Sequence, residues 1–129
     1  MGIPTRYGNT PAQWKAWWDA TGSLWQQGTF WGKYAGLFIA TGGLGGDQES
    51  TALAIMSTLV HHGFVHVPHG YKTTFALQAN FTEVHGGSPW GAGSFAGGDE
   101  SRQPSELELS MAVEQGKAFH SHVARVSSA

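Results

Sequence analysis

The sequence predicts an α/β fold built on a parallel sheet. Short apolar runs rich in β-formers alternate with stretches of helical period, and glycine-bearing loops follow the runs. Strands that alternate with helices imply parallel pairing through right-handed crossovers. The 129 residues suit one domain and one core, so residues 1–129 are read as a single domain.

The elements follow in order. "GIP" reads as the end of a buried strand and "TRYGN" as a loop. Thr10 and Pro11 predict an N-cap and first helical position. "PAQWKAWWDATG" then sets Trp14, Trp17 and Trp18 at helical spacing, and Gly22 is expected to end that helix. "KYAGLFIAT" predicts a buried strand, and "ATGGLGG" a tight loop. "DQESTALAIMSTLVHH" predicts a helix with Asp47 as N-cap and Gly63 as stop. Its buried side is expected to carry Ala52, Leu53, Met56, Leu59 and Val60. "GFVHVPHG" predicts the next strand, and residues 72–103 a long glycine-rich loop. Pro104 is expected to open the last helix.

Composition narrows the function. Net charge is −2, so the basic stripe of a nucleic-acid binder is absent. There is no cysteine, which removes disulfides, thiolate nucleophiles and thiolate-bound metals, and points to a cytoplasmic protein. "MGIPTRYGNT" has no apolar core of a secretory leader. Seven histidines raise the question of a metal, yet none stands at ligand spacing with a carboxylate, and no metal site is expected.

Ligands of open parallel sheets sit beyond the carboxyl ends of the strands. "PTRYGN", "ATGGLGGDQE" and "HGYK" are expected there. Four glycines in residues 42–46 carry a large entropy cost on folding. A phosphate fits this loop poorly, because Asp47 and Glu49 lie at the helix start and the P-loop lysine is missing. A flat polar ring fits better, since backbone groups reach its edge only where side chains are absent.

The stretches "IPTRYGN", "GSLWQQGTFWGK", "ATGGLGGDQES", "STLVHHGFVHVPHGY", "EVHGGSPWGAG" and "FAGGDESRQPSELEL" cover nearly the whole chain. They resemble the WrbA-like NAD(P)H:quinone oxidoreductases, fungal branch, a flavodoxin-like family that binds FMN. The resemblance implies FMN as cofactor, NAD(P)H as co-substrate, a quinone as substrate, and assembly as a homo-oligomer, dimer or tetramer. It implies that Thr5, Arg6 and Tyr7 border the flavin, and that Ala40, Thr41, Gly42, Gly43, Leu44 and Gly45 hold its pyrimidine edge. His61 would contact the ring, and Trp25 would reach the quinone pocket from a neighbouring subunit; these two are the catalytic candidates.

The family pattern also has an earlier strand and a loop that grips the FMN phosphate, and this sequence matches neither. The expectation is a flavodoxin-like sheet with helices on both faces, truncated to the last three strands and three helices. In the strand order 2-1-3-4-5 these are 3-4-5, which leaves strand 3 as an edge. The alternative to a quinone reductase is a non-catalytic relative that acts as a binding or interaction protein.

Overall fold

A computed structural model describes residues 1–127. The elements are β1 (Gly2–Pro4), α1 (Ala12–Ala20), α2 (Gly22–Gln26), β2 (Tyr34–Ala35), β3 (Leu37–Thr41), α3 (Gln48–His61), β4 (Val65–His66), α4 (Phe75–Gln78), β5 (Gly91–Phe95) and α5 (Glu106–Ser127). The main sheet is parallel, in the order β1-β3-β5. β2 and β4 form a separate two-stranded parallel sheet.

β3 sets the layers. Its side chains alternate, so Leu37, Ile39 and Thr41 are buried on one face while Phe38 is exposed on the other. The buried face packs with Ile3, Trp18, Ala35, Ala52, Ile55 and Leu59 into one core. Each such aliphatic side chain contributes roughly 1.5–3 kcal/mol by leaving water. α5 packs on β5, on the other side, where Phe119 lies against Gly36. The sheet therefore has helices on both faces.

Two strand expectations change. "KYAGLFIAT" is two strands, parted at Gly36. "GFVHVPHG" supplies only β4, and the third strand of the main sheet is β5, inside the expected loop of residues 72–103. β5 reads "GAGSF", poor in β-formers, because the neighbouring backbone and the Gln48 side chain leave no room for side chains at its glycines. A Cβ on Gly91 would lie 2.0 Å from the Leu37 carbonyl oxygen, and one on Gly93 2.4 Å from Gln48 Oε1. Packing has overridden propensity here.

Helix ends follow local chemistry. Gly63, at φ +74°, closes α3 with Gly63 N–H donating to Val60 O and Phe64 N–H to Leu59 O, the double bond of a Schellman turn. Gly22 does not end the first helical segment; Thr21 caps α1 and Gly22 opens α2. Pro11 rather than Thr10 takes the N-cap position of α1. On α3 the buried residues are Thr51, Ala52, Ile55 and Leu59, whereas Leu53 and Val60 are exposed. α5 opens with Ser105 and Glu108 in a capping box: Glu108 N–H donates to Ser105 Oγ at 3.3 Å, and Ser105 N–H to Glu108 Oε2 at 2.9 Å. No helix among the described residues is long and apolar enough to cross a membrane.

Candidate functional site

The loops after β1, β3 and β5 meet at one end of the sheet. Thr5 N–H donates to Ala40 O at 2.9 Å, and Ala96 N–H to Thr41 O at 2.8 Å. Thr5 Oγ1 lies 2.5 Å from Thr51 Oγ1, and Ser50 Oγ donates to Gly8 O at 3.3 Å, so the start of α3 is tied to the first loop. "HGYK" follows β4 and is not on the main sheet; the loop beginning at Ala96 takes the place expected for it.

The first loop is a tight hairpin turn. Arg6 and Asn9 exchange backbone hydrogen bonds, and the two residues between them, Tyr7 at φ 54° and Gly8 at φ 69°, are both left-handed. That is the type I′ pattern. A tyrosine at positive φ is strained, and Tyr7 is also fully exposed. Arg6 turns its Nη1 back onto Thr5 O at 2.8 Å. Asp47, at φ 62°, is a second left-handed residue other than glycine nearby and gives no side-chain cap to α3.

The glycines of residues 42–46 divide into two kinds. A Cβ on Gly46 would lie 2.6 Å from Thr41 Cβ and 2.8 Å from Gly43 O, so the turn itself requires that glycine. A Cβ on Gly43 or Gly45 would meet nothing within 4 Å, and one on Gly42 only Gly97 O at 3.8 Å. None of these three has positive φ. The chain's own packing therefore does not call for glycine at 42, 43 or 45, and bare backbone faces open space there. Leu44 on the same loop is 70% exposed. Two large apolar side chains, Tyr7 and Leu44, thus stand in water at the tips of adjoining loops. This end of the sheet offers exposed apolar side chains beside uncovered peptide groups, the two kinds of surface that a flat ring with polar edges needs.

His61 and Trp25 are not part of this cluster within one chain. α3 starts at the glycine loop and runs back along the sheet, so its fourteen residues set His61 about 20 Å away. There the indole Nε1–H of Trp25 donates to His61 O at 2.8 Å, and both residues are exposed.

Several histidines serve packing. His62 is buried among Trp18, Phe30 and Phe64, with Nε2 3.0 Å from Thr21 Oγ1. His66 stacks on Trp90, and burial pulls its imidazole below the ordinary histidine range. Among the described residues no group of three or more His, Asp or Glu is arranged to hold a metal ion.

Two structural features escaped the sequence reading. Gln48 joins the glycine loop to β5 and to the loop at Gly87. Glu108 is buried and accepts from both guanidinium nitrogens of Arg102, at 3.0 and 3.1 Å, as well as from Gly86 N–H and Ser105 N–H. Burial pushes the Glu108 carboxyl up, but its hydrogen bonds to Arg102, Gly86 and Ser105 outweigh this and hold it below the ordinary range. The capping-box spacing of Ser105 and Glu108 was the available signal for the second feature; a lone glutamine gives none.

A parallel α/β sheet with helices on both faces and a bare-backbone loop at its carboxyl end defines a flavodoxin-like protein. Comparison narrows this. The chain is 68% identical over 125 residues to "Minor allergen Alt a 7" of Alternaria alternata, an alignment that covers 97% of this chain and 61% of that protein. It is 59% identical over 125 residues to "NAD(P)H quinone oxidoreductase PST3" of Candida albicans, covering 97% of this chain and 63% of that one. A solved structure, the flavodoxin WrbA-like protein of Agrobacterium tumefaciens, superposes with a TM-score of 0.57 at 19% identity, over 92% of this chain and 64% of the other. No family model matches. The chain is similar to fungal proteins named NAD(P)H quinone oxidoreductases, shares the flavodoxin-like fold of the WrbA-like structure, and spans about three-fifths of the length of these curated relatives.

Proposed function

We propose that this chain carries the ring-binding residues of an FMN-dependent NAD(P)H:quinone oxidoreductase. The observation behind the reading is the bare backbone of Gly42, Gly43 and Gly45, which the fold does not itself require. Bound FMN would supply the redox chemistry, accepting hydride from NAD(P)H and passing two electrons to a quinone. The protein's share is placement. Tyr7 and Leu44 would shield the ring faces, the peptides of residues 42–45 would meet its polar rim, and Thr5, Arg6, Ala40 and Thr41 would border it.

In this reading His61 and Trp25 act on a second copy. Their hydrogen bond makes them one exposed unit, too far from the glycine loop of their own chain to share a pocket with it. A homo-oligomer would bring one copy's pair to another's loop. Cytoplasmic residence is part of the same proposal.

The test is titration of the purified chain with FMN, followed by NADPH and benzoquinone. Quenching of flavin fluorescence that survives desalting, with quinone-dependent NADPH consumption, is the expected result. Absence of flavin affinity would remove the proposal. It would favour a binding protein instead, a reading supported by the place of β1 at the edge of the sheet among the described residues and by Phe38, 56% exposed beside it.

A further inference from the structure

The glycine loop has no side chains with which to fix its own shape, yet its peptides must point in set directions to recognise anything. The structure shows what fixes them. Gly43 O accepts two hydrogen bonds, from Gly46 N–H at 3.0 Å and from Thr41 Oγ1 at 3.1 Å. Both donors lie on the protein side, so this carbonyl is turned inward. In a trans peptide the following N–H points the opposite way. Leu44 N–H is therefore directed outward, towards the open space beyond Gly43 and Gly45.

The Thr41 hydroxyl has one proton, spent on Gly43 O, so it can be held in place only through a lone pair. Gln48 does this: its Nε2 donates to Thr41 Oγ1 at 3.3 Å and to Ser94 O at 3.0 Å, while its Oε1 accepts from Gly87 N–H at 2.8 Å. All three polar positions of the side-chain amide are used. Flipping it would set an oxygen against Ser94 O and an NH2 against Gly87 N–H, so the orientation is determined. Thr41 is itself buried, 3% exposed, so water does not compete for its hydroxyl.

We propose that Gln48 is the positioning residue of this site. Acting through Thr41, it sets the Gly43–Leu44 peptide so that Leu44 N–H faces outward as a donor for a carbonyl on the rim of a bound ring. The proposal rests on the ring-binding reading above for its ligand, and the relay itself is testable without one.

The variants are Thr41→Val, which removes the hydroxyl at constant shape, Thr41→Ser, which keeps it, and Gln48→Glu, which can still accept from Gly87 N–H but cannot donate to Thr41. In the ligand-free protein, amide exchange and 15N relaxation of residues 42–46 should report a loosened loop in Thr41→Val and Gln48→Glu, and a wild-type loop in Thr41→Ser. The double variant Thr41→Val/Gln48→Glu should be no looser than Thr41→Val, because both act through one path. Lumiflavin affinity should fall roughly five- to tenfold in Thr41→Val, the scale of one net hydrogen bond, and recover in Thr41→Ser. Wild-type exchange and relaxation at residues 42–46 in folded Thr41→Val would overturn the relay. Wild-type protein without lumiflavin affinity would overturn the ring reading instead, and the exchange data would still decide the relay.

Discussion

Trp25 and His61 are joined by a hydrogen bond from the indole Nε1–H to the His61 carbonyl oxygen, 2.8 Å long and spanning 36 positions of sequence. It fastens α2 to the far end of α3, away from the glycine loop. A bond between exposed groups contributes on the order of 0.5–1 kcal/mol. Trp25→Phe should therefore lower thermal stability only slightly. If the pair completes a second copy's site, the same variant should impair quinone turnover while leaving lumiflavin affinity unchanged. Loss of both together would argue that Trp25 belongs to the ring cradle itself.

Glu108 makes stability depend on acid. Its carboxyl is buried and ionised, held below its ordinary value of 4.5 by Arg102 and two backbone N–H groups despite the opposing effect of burial. A carboxylate depressed on folding gives its full stabilisation above the ordinary value and loses it as pH falls through the folded one. Glu108→Gln should cost roughly 1–3 kcal/mol at pH 7, because it weakens the charged hydrogen bonds to Arg102, whose guanidinium is partly exposed to solvent. The same variant should flatten the acid limb of the stability curve in urea titrations from pH 7 to pH 3. An unchanged acid limb would show that other carboxylates govern it.

Glycine loop positions should separate by stability alone. Gly46→Ala forces a methyl into Thr41 and Gly43 and should cost roughly 1–3 kcal/mol. Gly45→Ala places its methyl in open space at an ordinary φ and should stay within about 0.5 kcal/mol of wild type. Equal costs at both positions would mean that the loop's glycines serve the turn and nothing else.

Gly63 offers a similar test at the end of α3. Its φ of +74° disfavours any side chain, and a Cβ would lie 2.5 Å from Trp31 Cδ1. Gly63→Ala should lower stability by more than the roughly 1 kcal/mol of a simple left-handed penalty, as read from the midpoint of denaturant unfolding.

The parts legible in the sequence were those with local causes. α3 and its Gly63 stop, the apolar run of β3 and the α/β alternation follow from period and capping. β5 was illegible because its composition answers to neighbours: Gly91 and Gly93 are glycines on account of Leu37 and Gln48. β4 looked like the stronger strand, yet Val65 and His66 pair only with Tyr34 and Ala35. At the site, the loops bearing Thr5–Tyr7 and Ala40–Gly45 were placed together as expected. Trp25 was expected to come from another subunit, but the separation of His61 from these loops was not foreseen, since it depends on the direction and length of α3. Gln48 was invisible because its role lies in three contacts, with the Thr41 hydroxyl 7 positions away and with backbone groups of residues 39 and 46 positions away.

The most direct measurement is the affinity of the wild type and Gly43→Val for lumiflavin, followed by fluorescence quenching, with circular dichroism and thermal melts on both. Lumiflavin has the ring without the ribityl phosphate, so its binding reports the cradle alone. A valine at 43 meets no protein atom at its Cβ and should leave folding intact. If the bare backbone receives the ring, affinity should fall roughly tenfold or more, the scale of an overpacked contact. Equal affinity in two equally folded proteins would contradict the ring cradle.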